Sequence, residues 1–322
     1  MTFAIDTSII HRTPRATPSS EHRAPVDVRS ITQALGGRMS GRRGRAPCPV
    51  CQAGKRRANT SLSIAEGADG NLLAFCFKGC GFDQILDALR GLGLVEGSSS
   101  FRPATEEDRA RMRAEDEAEA AKKAAQAEAC WKEAGPIEGT VAETYLRGRG
   151  ITAELPRSLR FHPECWHGPT AKRLPAMVAA VQGVARPAIH RTYLRPDGSG
   201  KAEVEPAKMM LGSTRGGAVR LADGRDGLIV AEGLESALSL TWPSHMGAQI
   251  AVWAALSTSG METLTLPRAP GSLLIAVDGE EAGRAAGRRL ATRAVGAGWT
   301  VQIADPGDGK DYNDVLREGG AL

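Results

Sequence analysis

No apolar run in the sequence approaches the roughly 20 residues needed to cross a bilayer. The amino end, MTFAIDTSIIHRTPRATPSSEHRAP, has no apolar core of the kind a secretory signal needs. These absences remove a membrane from the set of partners and lead us to expect a cytoplasmic protein. Aromatic residues are scarce at 4%, and Tyr145, Tyr193 and Tyr312 are the only tyrosines, which leaves little material for tyrosine-based nucleophilic chemistry. A phosphate loop of the form GxxxxGKS or GxxxxGKT is also missing, so nothing points to a P-loop ATPase. No internal repeat is visible.

The remaining composition is that of an ordinary soluble chain. Its 322 residues, 42% hydrophobic and 24% charged, suffice for two or three modest cores. Net formal charge is only +4, but Arg38, Arg42, Arg43, Arg45, Lys55, Arg56 and Arg57 cluster with few acids nearby. Such a cluster is either a solvated basic face or the footprint of a polyanionic partner. Of six cysteines, four are spaced as Cys48-x2-Cys51 and Cys76-x3-Cys80, whereas Cys130 and Cys165 stand as unrelated singles. In a cytoplasmic chain the paired spacing reads as metal binding rather than disulfide.

Residues 1–25 are rich in Thr, Ser, Pro and Arg without hydrophobic period, and are expected to be a disordered tail. Residues 26–97 form a first module. VDVRSITQALGG predicts a helix stopped by its Gly pair, TSLSIAEG and NLLAFCFKGC predict a β-hairpin, and FDQILDALRGLGL predicts an amphipathic closing helix. Residues 98–135, dense in Ala, Glu, Lys and Arg, predict a solvated helical linker. Residues 136–225 contain a short helix at AETYLRGRGI and two strands in PAMVAAVQGVARPAIHRTYL. From 226 to 322 the rhythm becomes strand, helix, strand, helix, which implies a largely parallel sheet covered by helices. The expected fold class is multi-domain α/β.

Four thiolates bind Zn²⁺ tetrahedrally, and a Cys-x2-Cys turn lets two sulfurs converge while backbone amides stabilise their charge. Cys48, Cys51, Cys76 and Cys80 are therefore the expected zinc ligands. Arg42, Arg43 and Arg45 beside the first knuckle favour phosphate contact. Phe75 and Phe77 flank Cys76 and either stack on bases or pack the small core.

A second set of residues is acidic. LIVAEG ends in Glu232, SLLIAVDGE in Asp278 and Glu280, and WTVQIAD leads into PGDGKDYNDVL with Asp305, Asp308, Asp311 and Asp314. Any one of these acids suits a helix start or a solvated loop. Three acidic strand ends side by side suit a Mg²⁺ site for phosphoryl transfer, because Mg²⁺ takes hard oxygen ligands.

Taken together, VAEGLESAL, AVDGEEAGRAAG and GKDYNDVL resemble the Toprim domain of bacterial-type primases, topoisomerases and some nucleases. With APCPVC, FCFKGCGFDQILDAL and RFHPECWHG ahead of them, the chain resembles phage- and plasmid-associated relatives of the bacterial replicative primase, which carry a CHC2-like zinc ribbon. The resemblance implies a zinc ribbon, a linker, an α+β primase core subdomain and a Rossmann-like Toprim domain. It implies catalytic and magnesium-binding roles, with Mg²⁺ or Mn²⁺, for Glu232, Asp278, Glu280 and Asp311. Glu280 stands where the family usually has Asp, and Cys76 where many relatives have His. Basic residues must hold template and triphosphate. His190, Arg191, Lys201, Lys208 and Arg215 in the middle segment, and Lys310 in GKD, are the candidates. The implied activity is RNA primer synthesis on single-stranded DNA from nucleoside triphosphates, with any replicative helicase acting in trans. A Toprim nuclease and a non-catalytic nucleic-acid-binding adaptor are the alternatives.

Overall fold

The computed structural model describes residues 28–40, 43–53, 60–66, 71–95, 101–103, 106–241 and 249–319. The chain divides into two compact units, Met1–Ala114 and Glu115–Leu322. The expected tail at 1–25, and Arg42, Lys55, Arg56 and Arg57, lie outside the described residues. Among the described residues no helix is long and apolar enough to cross a membrane.

The first unit opens with α1 (Val28–Ala34), followed by β1 (Arg38–Ser40), β2 (Arg43–Ala46), β3 (Leu62–Glu66), β4 (Leu72–Cys76), α2 (Phe82–Gly91) and β5 (Phe101–Pro103). The Gly pair stops α1 as predicted. Gly36 takes a left-handed backbone at φ 70°, and the Gly37 amide donates to Thr32 O at 2.8 Å. The five strands lie in sequence order, antiparallel except for the β4–β5 pair. The predicted hairpin is β3–β4, with Ser63 opposite Phe75. Ile31, Leu62, Ile64, Ile85 and Leu89 form a small core beneath it.

α3 (Glu106–Glu133) carries the solvent-facing pairs Glu119–Lys123 and Glu128–Lys132 expected of a charged helix. Its last turns are not a free linker, however. Ala127, Cys130 and Trp131 pack with Val178 and Ile189, because small alanines on one face let the helix approach a sheet closely. After α4 (Val141–Gly148), that sheet is an antiparallel meander of β6 (Leu159–His167), β7 (Lys172–Ala180), β8 (Ile189–Tyr193) and β9 (Lys208–Leu211). Cys130 and Cys165, read from the sequence as unrelated, meet here with their sulfurs 3.7 Å apart.

The chain then forms β10 (Val219–Ala222), β11 (Gly227–Ala231), α5 (Leu234–Ser239), β12 (Ile250–Ala254), α6 (Thr258–Thr263), β13 (Ser272–Ala276), α7 (Glu281–Gly296), β14 (Thr300–Ala304) and α8 (Tyr312–Arg317). The strand order is β10-β12-β11-β13-β14, parallel throughout except for the β10 edge. Alternation along β11 sends Ile229 and Ala231 to one core with Leu234, Leu238 and Tyr312. Leu228 and Val230 go to the other, with Met261, Ala286 and Leu290. Helices thus cover both faces, as continuous apolar strands require. The first of these cores also takes in Tyr145, Leu146, Met177 and Ala179, so residues 136–225 and 226–322 share buried surface.

Candidate metal and active site

The four paired cysteines converge. Their ligand atoms all lie within 4.8 Å of one another, and Cys51 Sγ sits 3.7 Å from Cys76 Sγ. A tetrahedral site with Zn–S bonds of about 2.3 Å has S···S edges of about 3.8 Å. Gln52 Oε1 accepts from the amides of Cys48 at 3.0 Å and Ser61 at 3.1 Å, which ties the first knuckle to the strand. Burial pushes the Cys76 thiol up, but amides of Cys80 and Lys78 and the Ser61 hydroxyl outweigh it and bring the group to about 6. Cys80 is pushed up to about 12, first by its contact with the Cys51 thiol. Crowded thiols that cannot all ionise alone are the donor set a thiophilic dication stabilises, so these residues fit zinc.

The acidic site forms where strand order reverses. From β11 the chain runs to β12 on one side, then crosses to β13 on the other, and the crevice at such a reversal is where open parallel sheets bind ligands. Ala231 is opposite Ala276, so Glu232 and Asp278 emerge from neighbouring strands at the same edge. Leu256 holds the Glu232 backbone. Its amide donates to Glu232 O at 2.8 Å from a left-handed conformation at φ 70°, a strained state for a bulky side chain.

Burial pushes the Glu232 carboxyl up, and the charges on Asp278 and Glu280 add to this, reaching about 7 against a hydrogen bond from the Thr258 backbone. Asp278 is raised to about 6, first by burial and then by Asp311, with Lys208 and Ser236 opposing. Asp278 Oδ1 is buried without a hydrogen-bond partner among the described residues. Glu280 is exposed at the N-cap of α7. Gly279 between the two acids is obligatory, since a Cβ there would stand 1.8 Å from Gly307 O. Its amide donates to Lys310 O at 2.8 Å, which docks the DGE segment on the GDGK segment.

The other acids have structural tasks. Asp311 caps α8 by accepting from the Asp314 amide at 2.9 Å, while Asp314 accepts from the Asp311 amide. Asp305 and Asp308 pair with Arg284 at 2.7 and 2.6 Å. Among the described residues only the four cysteines bring three or more ligand atoms within 4.8 Å of one another. Glu232, Asp278, Glu280 and Asp311 share an edge and a field without closing to that spacing.

The basic candidates separate by burial. Arg43 and Arg191 are 5% and 7% exposed, positions suited to structure rather than phosphate contact. Arg43 is buried at the start of β2, whose burial does not alternate, and Arg191 Nη1 donates to Trp166 O at 3.2 Å. Arg45 lies 4.4 Å over the ring of Phe77, which is 55% exposed, and Phe77 meets Phe75 edge-on. Lys310 pairs with Glu318 at 2.6 Å. His190 is buried, and burial followed by the Lys208 charge brings it down to about 4. Lys208 Nζ donates to Glu235 Oε2 at 2.8 Å, and its charge reaches Glu232 and Asp278. Glu235 was not recognisable in the sequence, where it reads as an acid in a helix's first turn.

Residues 121–221 match the model of a domain of unknown function (DUF7146), and residues 227–321 match the model of the Toprim domain. No curated protein matches the chain. Among solved structures, the chain is similar to the zinc-binding and RNA polymerase domains of the Aquifex aeolicus primase, at 14% identity over 92% of this chain and 81% of that one, with a TM-score of 0.41. It is similar to a DNA primase domain from Pseudomonas aeruginosa at 20% identity, covering 57% of this chain and 70% of that one, with a TM-score of 0.36. For the RNA polymerase domain of Mycobacterium tuberculosis primase the values are 17%, 62%, 81% and 0.36. The mostly parallel sheet with its acidic edge, at residues 227–321, matches the Toprim domain, and it follows in the chain a four-cysteine module that fits a zinc ribbon.

Proposed function

We propose that this chain is a DNA primase, joining ribonucleotides into short primers on a single-stranded DNA template. The observation that carries the reading is the pairing of Glu232 and Asp278 at the strand-order reversal of a Toprim sheet, both raised well above ordinary carboxylates. Carboxylates forced together by a fold, one with a buried oxygen that has no partner among the described residues, suit a divalent cation that would relieve their repulsion. Glu232, Asp278, Glu280 and Asp311 would hold Mg²⁺ or Mn²⁺, which supplies charge neutralisation on the phosphates.

The chain's own groups account for the remaining chemistry. The reaction is attack of a 3′-hydroxyl on the α-phosphate of a second nucleotide, with pyrophosphate leaving. Burial and its acidic neighbours raise the cation-free Glu232 carboxyl to about 7, and we assign this residue to the proton of the attacking hydroxyl. Lys208, on β9 beside the acids, places a cation where triphosphate charge accumulates. The zinc module with Arg45 and Phe77 supplies a cation and an exposed ring for the template strand. Any helicase partner would act in trans.

The test is incorporation of labelled ribonucleotides on single-stranded DNA with Mg²⁺ or Mn²⁺. A ladder of short products is expected. Template degradation without synthesis would mean that the same acids serve a nuclease, and DNA binding without either reaction would mean an adaptor.

A further inference from the structure

Glu235, in the first turn of α5, is 3% exposed and faces no solvent, yet every one of its partners is polar. Oε1 accepts the Tyr145 hydroxyl at 2.8 Å and lies 3.5 Å from Lys201 Nζ, while Oε2 accepts from Lys208 Nζ at 2.8 Å. Burial alone would push this carboxyl up, but the two ammonium groups reverse it and hold it well below the usual range, so it is ionised. Four segments converge to build the cluster: α4, the Lys201 bridge beside Leu194, β9 and α5. His190 is neutral and buried nearby, so it adds no competing charge.

Apolar residues of similar volume stabilise a core at least as well as a buried ion cluster does. An ionised Glu235 therefore calls for a reason other than stability. The lysines supply one, because they are anchored from below while 38% of the Lys208 side chain and 35% of the Lys201 side chain stay exposed. Lysine is ordinarily a flexible point charge, and a fixed pair loses less freedom on binding an anion.

We propose that Glu235 is a positioning residue, anchored by Tyr145, that fixes Lys208 and Lys201 as a two-ammonium cradle for the triphosphate of the incoming nucleotide. The inference rests on the primase reading for the identity of the ligand. Position and charge make opposite forecasts. Removing the negative carboxylate makes the locality more positive and, on charge alone, tightens anion binding. If position governs, the freed ammonium groups separate by mutual repulsion and binding weakens.

The experiment measures nucleotide KM and kcat for the full-length protein and for Glu235→Gln, Glu235→Asp and Tyr145→Phe. Alongside them it follows template affinity and tripolyphosphate binding by calorimetry. Position predicts a KM rise of about tenfold for Glu235→Gln and a smaller rise for the other two, with template affinity unchanged. Glu235→Asp matters most, because it keeps the charge and shortens the reach. In the same proteins, Lys208 acylation by an amine-reactive ester at pH 8 should quicken several-fold in Glu235→Gln, as read by peptide mass spectrometry, since loss of the carboxylate partner lets the ammonium release its proton and leaves more free amine to attack the ester. Unchanged or lower KM with unchanged acylation in folded variants overturns the proposal. Should Glu235→Gln fail to fold, Tyr145→Phe and Lys201→Met decide in its place, with the same directions required. Should the unaltered protein incorporate no nucleotide, the primase reading fails by itself. The cradle then stands or falls on weaker tripolyphosphate binding and faster Lys208 acylation in Glu235→Gln.

Discussion

The charge on Asp278 helps to hold the carboxyl of Glu232 at about 7, across two parallel strands that place Ala231 opposite Ala276. Neither acid reaches that state alone. Burial supplies the largest part, and the neighbouring carboxylates add the rest.

Chemistry at this pair should fail when either charge is removed. Glu232→Gln and Asp278→Asn should each leave folding and template binding intact while cutting incorporation by orders of magnitude, at least about 100-fold. Glu280→Asp should be tolerated, because Glu280 is exposed and the substitution keeps a carboxylate to hold the cation. Incorporation at saturating Mg²⁺, with circular dichroism in parallel, checks all three. Near-normal turnover in folded Glu232→Gln would reduce Glu232 to a helix-start residue.

Burial, with the same repulsion added, sets a pH dependence of stability. Folded-state values of about 7 and about 6 lie above the ordinary 4.5 and 3.8, so the native state retains protons that the unfolded chain has released. Stability from these groups is highest below about pH 4, falls as pH rises, and reaches its minimum above about 7. Without added magnesium at pH 8, Glu232→Gln should therefore be more stable than the unaltered protein, on the order of 1–3 kcal/mol. The gap should close near pH 4. Denaturant melts at the two pH values decide it, and a less stable variant at pH 8 contradicts the electrostatic account.

Zinc content follows from the sulfur geometry. Freshly purified protein should hold about one zinc per chain, and Cys48→Ser or Cys80→Ser should release it. Loss should loosen the first unit and spare the second, which has cores of its own. Hydrogen exchange read separately for the two units checks this, and a zinc-free preparation that had met no chelator would refute it.

Template binding should weaken with salt, and Arg42→Ala with Arg45→Ala should flatten the slope by about one to two. Phe77→Ala should weaken binding without changing the slope, since a ring contributes stacking rather than charge. Arg43→Ala should act differently and lower the melting temperature of the first unit, because that side chain is 5% exposed. Fluorescence titrations at several salt concentrations separate the three effects.

Local pattern in the sequence determined a good part of this. Buried parallel strands are continuous apolar runs, so LIVAEG, SLLIAVD and WTVQIAD announced β11, β13 and β14 together with the acids that follow them. The cysteine spacing announced the metal module, because each knuckle closes within a few residues. Strand order and the antiparallel β10 edge were not legible, since which strand lies beside which is settled by packing. Nor were the contacts that join distant segments. Tyr145 and Glu235 are 90 positions apart, Cys130 and Cys165 are 35 apart, and Asn313, which donates to Arg149 O at 2.9 Å, reaches back 164. In sequence, Glu235 looks no different from Glu281, since both are acids in the first turn of a helix. Glu281 is exposed and Glu235 is buried between two lysines, because burial and charge depend on what arrives from elsewhere in the chain, and only the tertiary structure brings those segments together.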